Sequence, residues 1–209
     1  AKTGATNWKE SVYEGDDYLQ RMLKEKKGNV VVLAGNNQLK TDYILQSIQA
    51  GLNVFSDKPM VIDQKGFQKL KTAFETAQKK NLLLYDIMTE RYEITTILQR
   101  ALSMQPLLFG QLQKGSLEEP AVTKESVHHF YKYVSGSVLT RPGWFFDVAQ
   151  EGEGIVDVTT HLVDLVQWEC FPNIALNYTK DIQLQKAKSW RRSNCKTIKK
   201  ATTMRDVNF

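Results

Sequence analysis

Two stretches of the 209-residue chain combine residue types that could carry out acid–base chemistry. In the first, Lys58 precedes Pro59, which disfavours helical backbone at the lysine and presents its ammonium group from an extended segment. In the second, Asp157, His161 and Asp164 are spaced to share one face of a helix, where two carboxylates would orient the imidazole as a general acid or base requires. Each stretch also has an ordinary interpretation, a solvated lysine at a strand end or a structural His–Asp pair.

The elements that must position these residues alternate along the first half of the chain. Apolar residues recur at helical spacing in segments 16–27, 38–50 and 63–81. Short apolar runs at 30–34, 52–55 and 82–85 predict three strands. Wholly apolar strands that alternate with helices are typical of a parallel sheet buried on both faces. We therefore predict an α/β fold that contains the C-terminal half of a doubly wound, Rossmann-type sheet.

The pattern changes near residue 89. A helix over 90–103 with a buried apolar stripe is followed by predicted strands over 107–113 and 126–134, and then by a helix from about 157 to 169. Strands and helices segregated in this way predict a partial α+β domain. The predicted division is 1–88 for the partial doubly wound domain, 89–186 for the partial α+β domain, and 187–209 for a basic tail.

Polar residues follow all three predicted strands, at the edge where open α/β sheets bind their ligands. They are Gly35, Asn36 and Asn37 after the first strand, Asp57 and Lys58 after the second, and Asp86 with the run 88–91 after the third. The two asparagines are equally well explained as turn residues, because asparagine tolerates the left-handed backbone of tight turns.

Charge and composition limit the partners. The segment 180–209 holds nine Lys or Arg and two Asp, a net charge of +7, whereas residues 1–179 carry −2 of the total of +5. Because a nucleic-acid surface needs a basic groove or helix within the fold, we expect no nucleic-acid partner. We also expect no metal site, no membrane span and, with only two cysteines, a cytoplasmic protein, although an export signal before Ala1 stays open.

Two motifs resemble those of the Gfo/Idh/MocA family of NAD(P)-dependent oxidoreductases. Residues 50–59 (AGLNVFSDKP) resemble that family's A-G-K-H-V-x-x-E-K-P, and residues 152–164 (GEGIVDVTTHLVD) are similar to its G-G-G-x-x-x-D-x-G-x-H-x-x-D. Residues 34–37 stand where members have a T-P-N-like turn. The departures are Asp57 for glutamate, and Glu153 and Thr159 for glycine.

The resemblance implies an oxidoreductase that transfers a hydride between a sugar- or cyclitol-like alcohol and NAD or NADP. It implies that His161 is the general base, that Lys58 holds the substrate oxygen and that Asp157 binds a neighbouring hydroxyl. It further implies cofactor contacts from Gly35, Asn36, Asn37, Asp57 and Lys58, substrate contacts from Trp144, Asp157 and His161, and a homo-oligomer formed through the second-domain sheet. A core position would explain Trp144 as well.

Two other functions stay open at this point. One is a glycosidase of the same family that uses NAD for transient oxidation, and the other is a non-catalytic regulator that senses the cofactor. The joint presence of Lys58, Asp157 and His161 favours an enzyme, because a regulator does not require all three.

The phosphate-binding turn G-x-G-x-x-G does not occur in the sequence, and we expect the chain to begin after it. These 209 residues by themselves should therefore bind NAD and NADP at least about 100-fold more weakly than a chain that contains the turn, a difference of about 2.7 kcal/mol. Calorimetric titration of both nucleotides measures this, and micromolar binding by these residues alone would contradict it.

Overall fold

A computed structural model describes residues 9–116, 118–125 and 133–185. Its first half is a parallel sheet of three strands in the order β1-β2-β3, which confirms the predicted alternation of strands and helices. The strands are β1 (Val30–Leu33), β2 (Asn53–Ser56) and β3 (Leu84–Asp86), and the helices are α1 (Tyr18–Glu25), α2 (Lys40–Gln49) and α3 (Gln64–Lys79).

Local sequence signals account for the ends of the helices. The Asp63 carboxylate accepts a hydrogen bond of 2.6 Å from the Gly66 amide and caps α3. Gly51 follows α2 with φ +86°, a backbone conformation that glycine adopts without the steric cost of a Cβ atom. Asn81, the predicted end of the third helix, also has a positive φ, of 53°.

The hydrophobic core lies between the sheet and one helical layer. Helices α2 and α3 pack against each other and against the sheet, with β2 at the centre. Burial of each large aliphatic side chain stabilises the fold by about 1.5–3 kcal/mol. The buried core residues are Ile44, Ile48, Val54, Leu70, Ala73, Ala77 and Leu84.

The prediction that the strands are buried on both faces is wrong for the described residues. Val32 of β1 is 61% exposed and Tyr85 of β3 is 57% exposed, whereas Val31 and Leu33 contact the core. The register explains why exposed and buried residues alternate along β1. Val31 pairs with Val54 on the face beneath α2 and α3, whereas Val32 pairs with Phe55 on the opposite face. Within the described ranges no helical layer covers that opposite face.

The predicted helix over 90–103 begins as a single 3₁₀ turn at Glu90–Tyr92 and continues as α4 (Ile94–Ser103). Its apolar stripe is exposed, contrary to expectation, with Ile94 at 67% and Leu98 at 52%. The polar side of α4 instead faces the C-terminal helix that contains Trp168 and Glu169. On that side, the Arg100 guanidinium lies 4.3 Å from the Trp168 ring centre, within the distance of a cation–π contact.

The predicted strand over 107–113 is wrong, because the chain forms a helical turn, α5 (Pro106–Phe109). Proline at the first helical position preorganises the backbone for a helix, and Gly110 ends the turn with φ +70°. Of the predicted strand 126–134, only β4 (Tyr133–Val134) lies within the described residues, paired with β5 (Ser137–Val138). The basic tail predicted at 187–209 lies outside them.

The second motif and the four residues before it form three helical elements, the last of which matches the helix predicted from about 157 to 169. They are α6 (Val148–Glu151), α7 (Gly154–Asp157) and α8 (Thr159–Cys170), after a 3₁₀ turn at Gly143–Phe146. Asp157 therefore ends α7, whereas His161 and Asp164 lie in α8, so the three do not share one helix as expected. No helix in the described part of the chain is long and apolar enough to cross a membrane.

Gly152 joins α6 to α7 in a conformation that only glycine adopts readily, with φ +91° and ψ 171°. A Cβ atom there would also come within 2.9 Å of Ile62 Cγ2. Glycine is therefore required at this position both by the backbone and by the close approach of the segment after β2.

We expect Gly152→Ala to lower the free energy of unfolding by about 1–3 kcal/mol, the cost of such a backbone conformation for a residue with a side chain. Gly154→Ala is the matched control, because Gly154 has no positive φ and open space around its Cα. Urea unfolding of both variants measures the difference. Equal stabilities would show that the turn at 152 adapts without strain.

Candidate active site

A cavity of about 440 Å³ lies where the carboxyl ends of the strands meet α7, α8 and the turn at Gly143–Phe146. It brings together seven of the predicted site residues, and Asn36 is the one that does not line it. The predicted residues in its wall are Gly35, Asn37, Asp57, Lys58, Trp144, Asp157 and His161. The other cavity residues are Ala34, Lys40, Thr89, Glu90, Arg141, Phe145 and Glu151.

Lys58 and Asp157 form an ion pair across the cavity wall. The Lys58 ammonium binds the Asp157 carboxylate and donates a second hydrogen bond, of 3.0 Å, to the Asp157 backbone carbonyl. The two side chains are 20% and 9% exposed, so the pair is shielded from water and from salt screening. This contact fixes the ammonium group at the end of β2 and joins α7 to the sheet edge.

The backbone around Lys58 also orients it. The Asp57 carboxylate accepts a hydrogen bond of 2.8 Å from the Lys58 amide, and the peptide bond to Pro59 is cis. Asp57 therefore shapes the turn that presents the lysine, and its carboxylate also lines the cavity.

The partner of His161 is not the one expected from spacing. Its Nδ1 lies 2.8 Å from Glu90 Oε2, a carboxylate from the 3₁₀ turn after β3. The expected neighbours have other partners, because Asp157 binds Lys58 and the Asp164 carboxylate accepts both an Nε–H bond of 2.7 Å and a second bond from Arg91. The prediction that Asp157 and Asp164 orient His161 is therefore wrong.

Arg91 and Asp164 form a second connection between the sheet edge and α8. The hydrogen bonds that the guanidinium donates to Asp164 raise the pKa of Arg91 above its ordinary value, so the arginine is charged at any working pH. The two parallel hydrogen bonds are the geometry that arginine and carboxylate adopt most favourably.

The two asparagines act as structural links. Asn36 donates 3.1 Å to the Gln150 side chain and accepts from the Gln38 amide, so its groups are committed away from the cavity. Asn37 is only 4% exposed and donates 3.0 Å to the Glu151 carbonyl. Asn36 is thus the turn residue that the alternative interpretation expects. Asn37, by contrast, both joins α6 to the sheet edge and lines the cavity.

Lys40 is a buried cation in the cavity wall that spacing did not predict. It is 2% exposed, and its ammonium donates 2.6 Å to Asn37 Oδ1 and 3.3 Å to the Asp57 carbonyl. Burial lowers the pKa of Lys40, and the negative charges of Asp57 and Glu151 oppose that shift.

Glu151 and Arg141 complete the polar wall. Glu151 is 9% exposed, and no other described residue hydrogen-bonds to its carboxylate. Burial first, and then the charge of Asp157, raise the pKa of Glu151, while Lys58, Lys40 and Arg141 oppose the shift. The Arg141 guanidinium lies 4.4 Å from the Phe145 ring centre and forms no ion pair within the described ranges.

Trp144 lines the mouth of the cavity and is 39% exposed. The core position that composition favours for a tryptophan is therefore not what the structure shows. Its ring contacts Phe145 edge to face, with 6.4 Å between ring centres, so the indole forms an apolar wall opposite the polar groups.

Some of these residues could have been found from sequence and others could not. Glu90 and Arg91 lie in the polar run after the third strand, at the sheet edge where ligands are expected to bind. Their position was therefore predicted, but their partners were not. Lys40 and Glu151 carry no such signal, because a lysine or a glutamate in a helix is ordinarily a solvated residue.

The cavity wall beside the end of β1 combines open space with hydrogen-bonding groups. Gly35 leaves open space at the end of β1, and Asn37, Asp57 and Lys58 supply hydrogen-bonding groups beside it. The described residues thus offer polar contacts for a carboxamide and a ribose, whereas the glycine-rich turn that cradles a pyrophosphate is absent from the sequence.

Two family models match the chain. Residues 1–85 match the "Oxidoreductase family, NAD-binding Rossmann fold" and residues 98–207 match the "Putative oxidoreductase C terminal domain". The chain thus carries part of an NAD-binding Rossmann domain followed by a second, oxidoreductase-specific region. No curated protein matches the chain significantly.

Among solved structures, a "putative oxidoreductase" from Parabacteroides merdae ATCC 43184 is 61% identical, with a TM-score of 0.78. The match covers 83% of this chain and 39% of that one, so the chain spans well under half the length of this relative. An NAD-binding protein from Listeria innocua matches with a TM-score of 0.53 at 14% identity, over 72% of this chain and 39% of its own. GenD2 from gentamicin A biosynthesis, solved with NAD, matches with a TM-score of 0.53 at 19% identity, over 72% and 38%. The last two show a shared fold.

The raised pKa of Glu151 predicts how stability depends on pH. Below about pH 4 the folded and unfolded states both carry the proton, so the group costs nothing. Glu151 ionises at a lower pH in the unfolded state than in the folded state. As pH rises above about 4, its contribution therefore lowers the free energy of unfolding. Glu151→Gln removes this penalty, so its stability relative to the unmodified protein should increase from pH 4 towards neutrality.

Urea unfolding of both proteins between about pH 4 and pH 8 measures the difference. The exposed Glu75 on α3 offers a matched control, and Glu75→Gln should leave the difference constant over the same range. A Glu151→Gln advantage that shrinks as pH rises would contradict the assignment.

Proposed function

The chain belongs to the Gfo/Idh/MocA family of oxidoreductases, and from that premise we propose that its cavity is the place where a sugar- or cyclitol-like alcohol is oxidised with NAD or NADP. The observation that carries the proposal is the placement of Lys58 and His161 in the wall of one cavity at the carboxyl edge of the sheet. A cation and an imidazole at that edge are the groups that deprotonation of an alcohol requires.

His161 takes the proton of the substrate hydroxyl in this proposal. Its Nδ1 faces Glu90, so Nε2 is the nitrogen left for the substrate. The hydroxyl proton of the carbinol moves to Nε2, and its carbon-bound hydrogen would leave as hydride. The nucleotide supplies the hydride acceptor when bound.

Lys58 holds the oxygen from which the proton leaves. An ammonium group has three N–H donors, and two of them are used by Asp157. The third is the donor left for a substrate oxygen, where a fixed positive charge stabilises the developing negative charge. Asp157 therefore acts first as the anchor of Lys58, and its role toward a neighbouring hydroxyl is secondary in this proposal.

Trp144 and Gly35 define where the two reactants would lie. The half-exposed indole at the cavity mouth offers a flat apolar surface to the face of a sugar or cyclitol ring. Gly35, Asn37 and Asp57 line the side nearer the sheet, where the cofactor would bind. We further propose that the domain boundary lies near residue 89, between the cofactor side and the substrate side. We also propose that the full-length protein forms a homo-oligomer.

We expect Lys58→Ala and His161→Ala in the full-length protein each to lower turnover by about 100-fold or more, the scale for removal of a positioned acid–base group. The assay follows reduction of NAD or NADP by absorbance with a panel of cyclitols and aldoses. Lys69→Ala is the matched control, because Lys69 pairs with Asp42 on α2 and α3 outside the cavity.

Circular dichroism of each variant verifies that the fold is retained. Turnover near that of the unmodified protein in either cavity variant would exclude the role assigned to that residue. If the unmodified protein reduces neither nucleotide with any cyclitol or aldose of the panel, the proposed function itself is contradicted.

A further inference from the structure

We infer that Glu90 is the positioning residue of His161: it holds the imidazole as the Nδ1–H tautomer and leaves Nε2 bare for the substrate. The inference rests on the proposed function for its catalytic consequence, although the tautomer itself is a property of the resting protein. Neither composition nor the spacing along α8 predicted this pair.

The contact is close and isolated from other partners. Glu90 Oε2 and His161 Nδ1 are 2.8 Å apart, and both atoms are buried. Within the described ranges neither atom forms a hydrogen bond of ordinary geometry, with the other or with any third group, so the 2.8 Å approach is the observation to be explained. Two buried polar atoms that stay unpaired destabilise the fold, so a proton shared between them is the arrangement that satisfies both.

Every other charged group near the ring has a different partner or faces the cavity. Asp157 and Asp164, the two carboxylates closest to His161 in sequence, bind Lys58 and Arg91, respectively. Asp57, Lys40, Arg141 and Glu151 share the cavity with His161 but form no ion pair with it. Among the described residues, Glu90 is thus the carboxylate that can determine which ring nitrogen carries the proton.

The chemistry of the pair assigns the tautomer. An ionised carboxylate can only accept a hydrogen bond, so the nitrogen that faces it must be the one that carries hydrogen. With Nδ1 protonated, Nε2 keeps its lone pair and can take a proton from a hydroxyl. The imidazolium formed by that transfer then lies beside the negative charge of Glu90, which stabilises it.

The two members of the pair come from different parts of the fold. Glu90 lies in the 3₁₀ turn after β3 and His161 lies in α8, and the Arg91–Asp164 bond joins the same two elements one residue away from Glu90. The base is therefore assembled only when α8 is docked against the sheet edge.

The first test is the tautomer of His161 in the full-length protein with ¹⁵N-labelled histidine. Long-range ¹H–¹⁵N spectra at about pH 8, where histidine is ordinarily neutral, distinguish the two ring nitrogens. His161→Asn identifies the signals. We expect Nδ1–H in the unmodified protein and in Glu90→Asp, which keeps a carboxylate, and a shift towards Nε2–H in Glu90→Gln, whose amide can donate to Nδ1.

The second test is kinetic. Glu90→Gln should lower kcat by about 100-fold with little change in KM, because a wrongly oriented base affects the reaction more than binding. Glu90→Asp should recover part of the loss. The matched control is Glu93→Gln, an exposed carboxylate three residues further on, which should change neither the spectra nor kcat.

The outcomes separate the inference from the function on which it builds. An Nε2–H tautomer in the unmodified protein, or identical spectra in Glu90→Gln, overturns the inference whatever the activity. A correct tautomer that changes in Glu90→Gln, in a protein that oxidises no alcohol, supports the positioning role and contradicts the proposed function. If Glu90→Gln does not fold, the unmodified protein and Glu90→Asp still decide the tautomer.

Discussion

The ion pair between Lys58 and Asp157 is the contact on which the rest of the site depends. It joins the end of β2 to the end of α7 across 99 residues of sequence, in a place where both side chains are largely shielded from water. Removal of one partner of such a pair leaves a buried charge uncompensated, at a cost of about 3–5 kcal/mol. The second motif is therefore held at the sheet edge by the same lysine that the proposed reaction uses.

Three further polar contacts follow the same edge. Asn37 links the end of β1 to Glu151, and Glu90 and Arg91 after β3 link to α8. Each strand end thus binds one part of the segment 151–164, so directional polar contacts add an orientation to the apolar packing, which has no preferred direction. A rigidly docked segment is what fixes an acid–base group relative to a substrate.

Exposed apolar surfaces are where expectation and structure differ most in the fold. A run such as Val30–Leu33 predicts a strand, but it does not determine whether one face or both will be covered. The stripe of α4 shows the same limit, because periodicity predicts which side chains align and not what packs on them. In the structure, the side of α4 that faces inward is the polar one, where Arg100 contacts the ring of Trp168.

The amino-acid sequence was sufficient to predict the order of strands and helices over residues 16–86, the edge of the sheet that carries polar groups, and the two motifs with Lys58 and His161. These depend on local periodicity and on chain direction, which neighbouring residues settle. The partners, such as Glu90 for His161 and Arg91 for Asp164, became visible only in the folded chain. Those pairs join residues that are far apart in the chain, and the choice among several candidate carboxylates depends on how α8 docks, which no local spacing encodes.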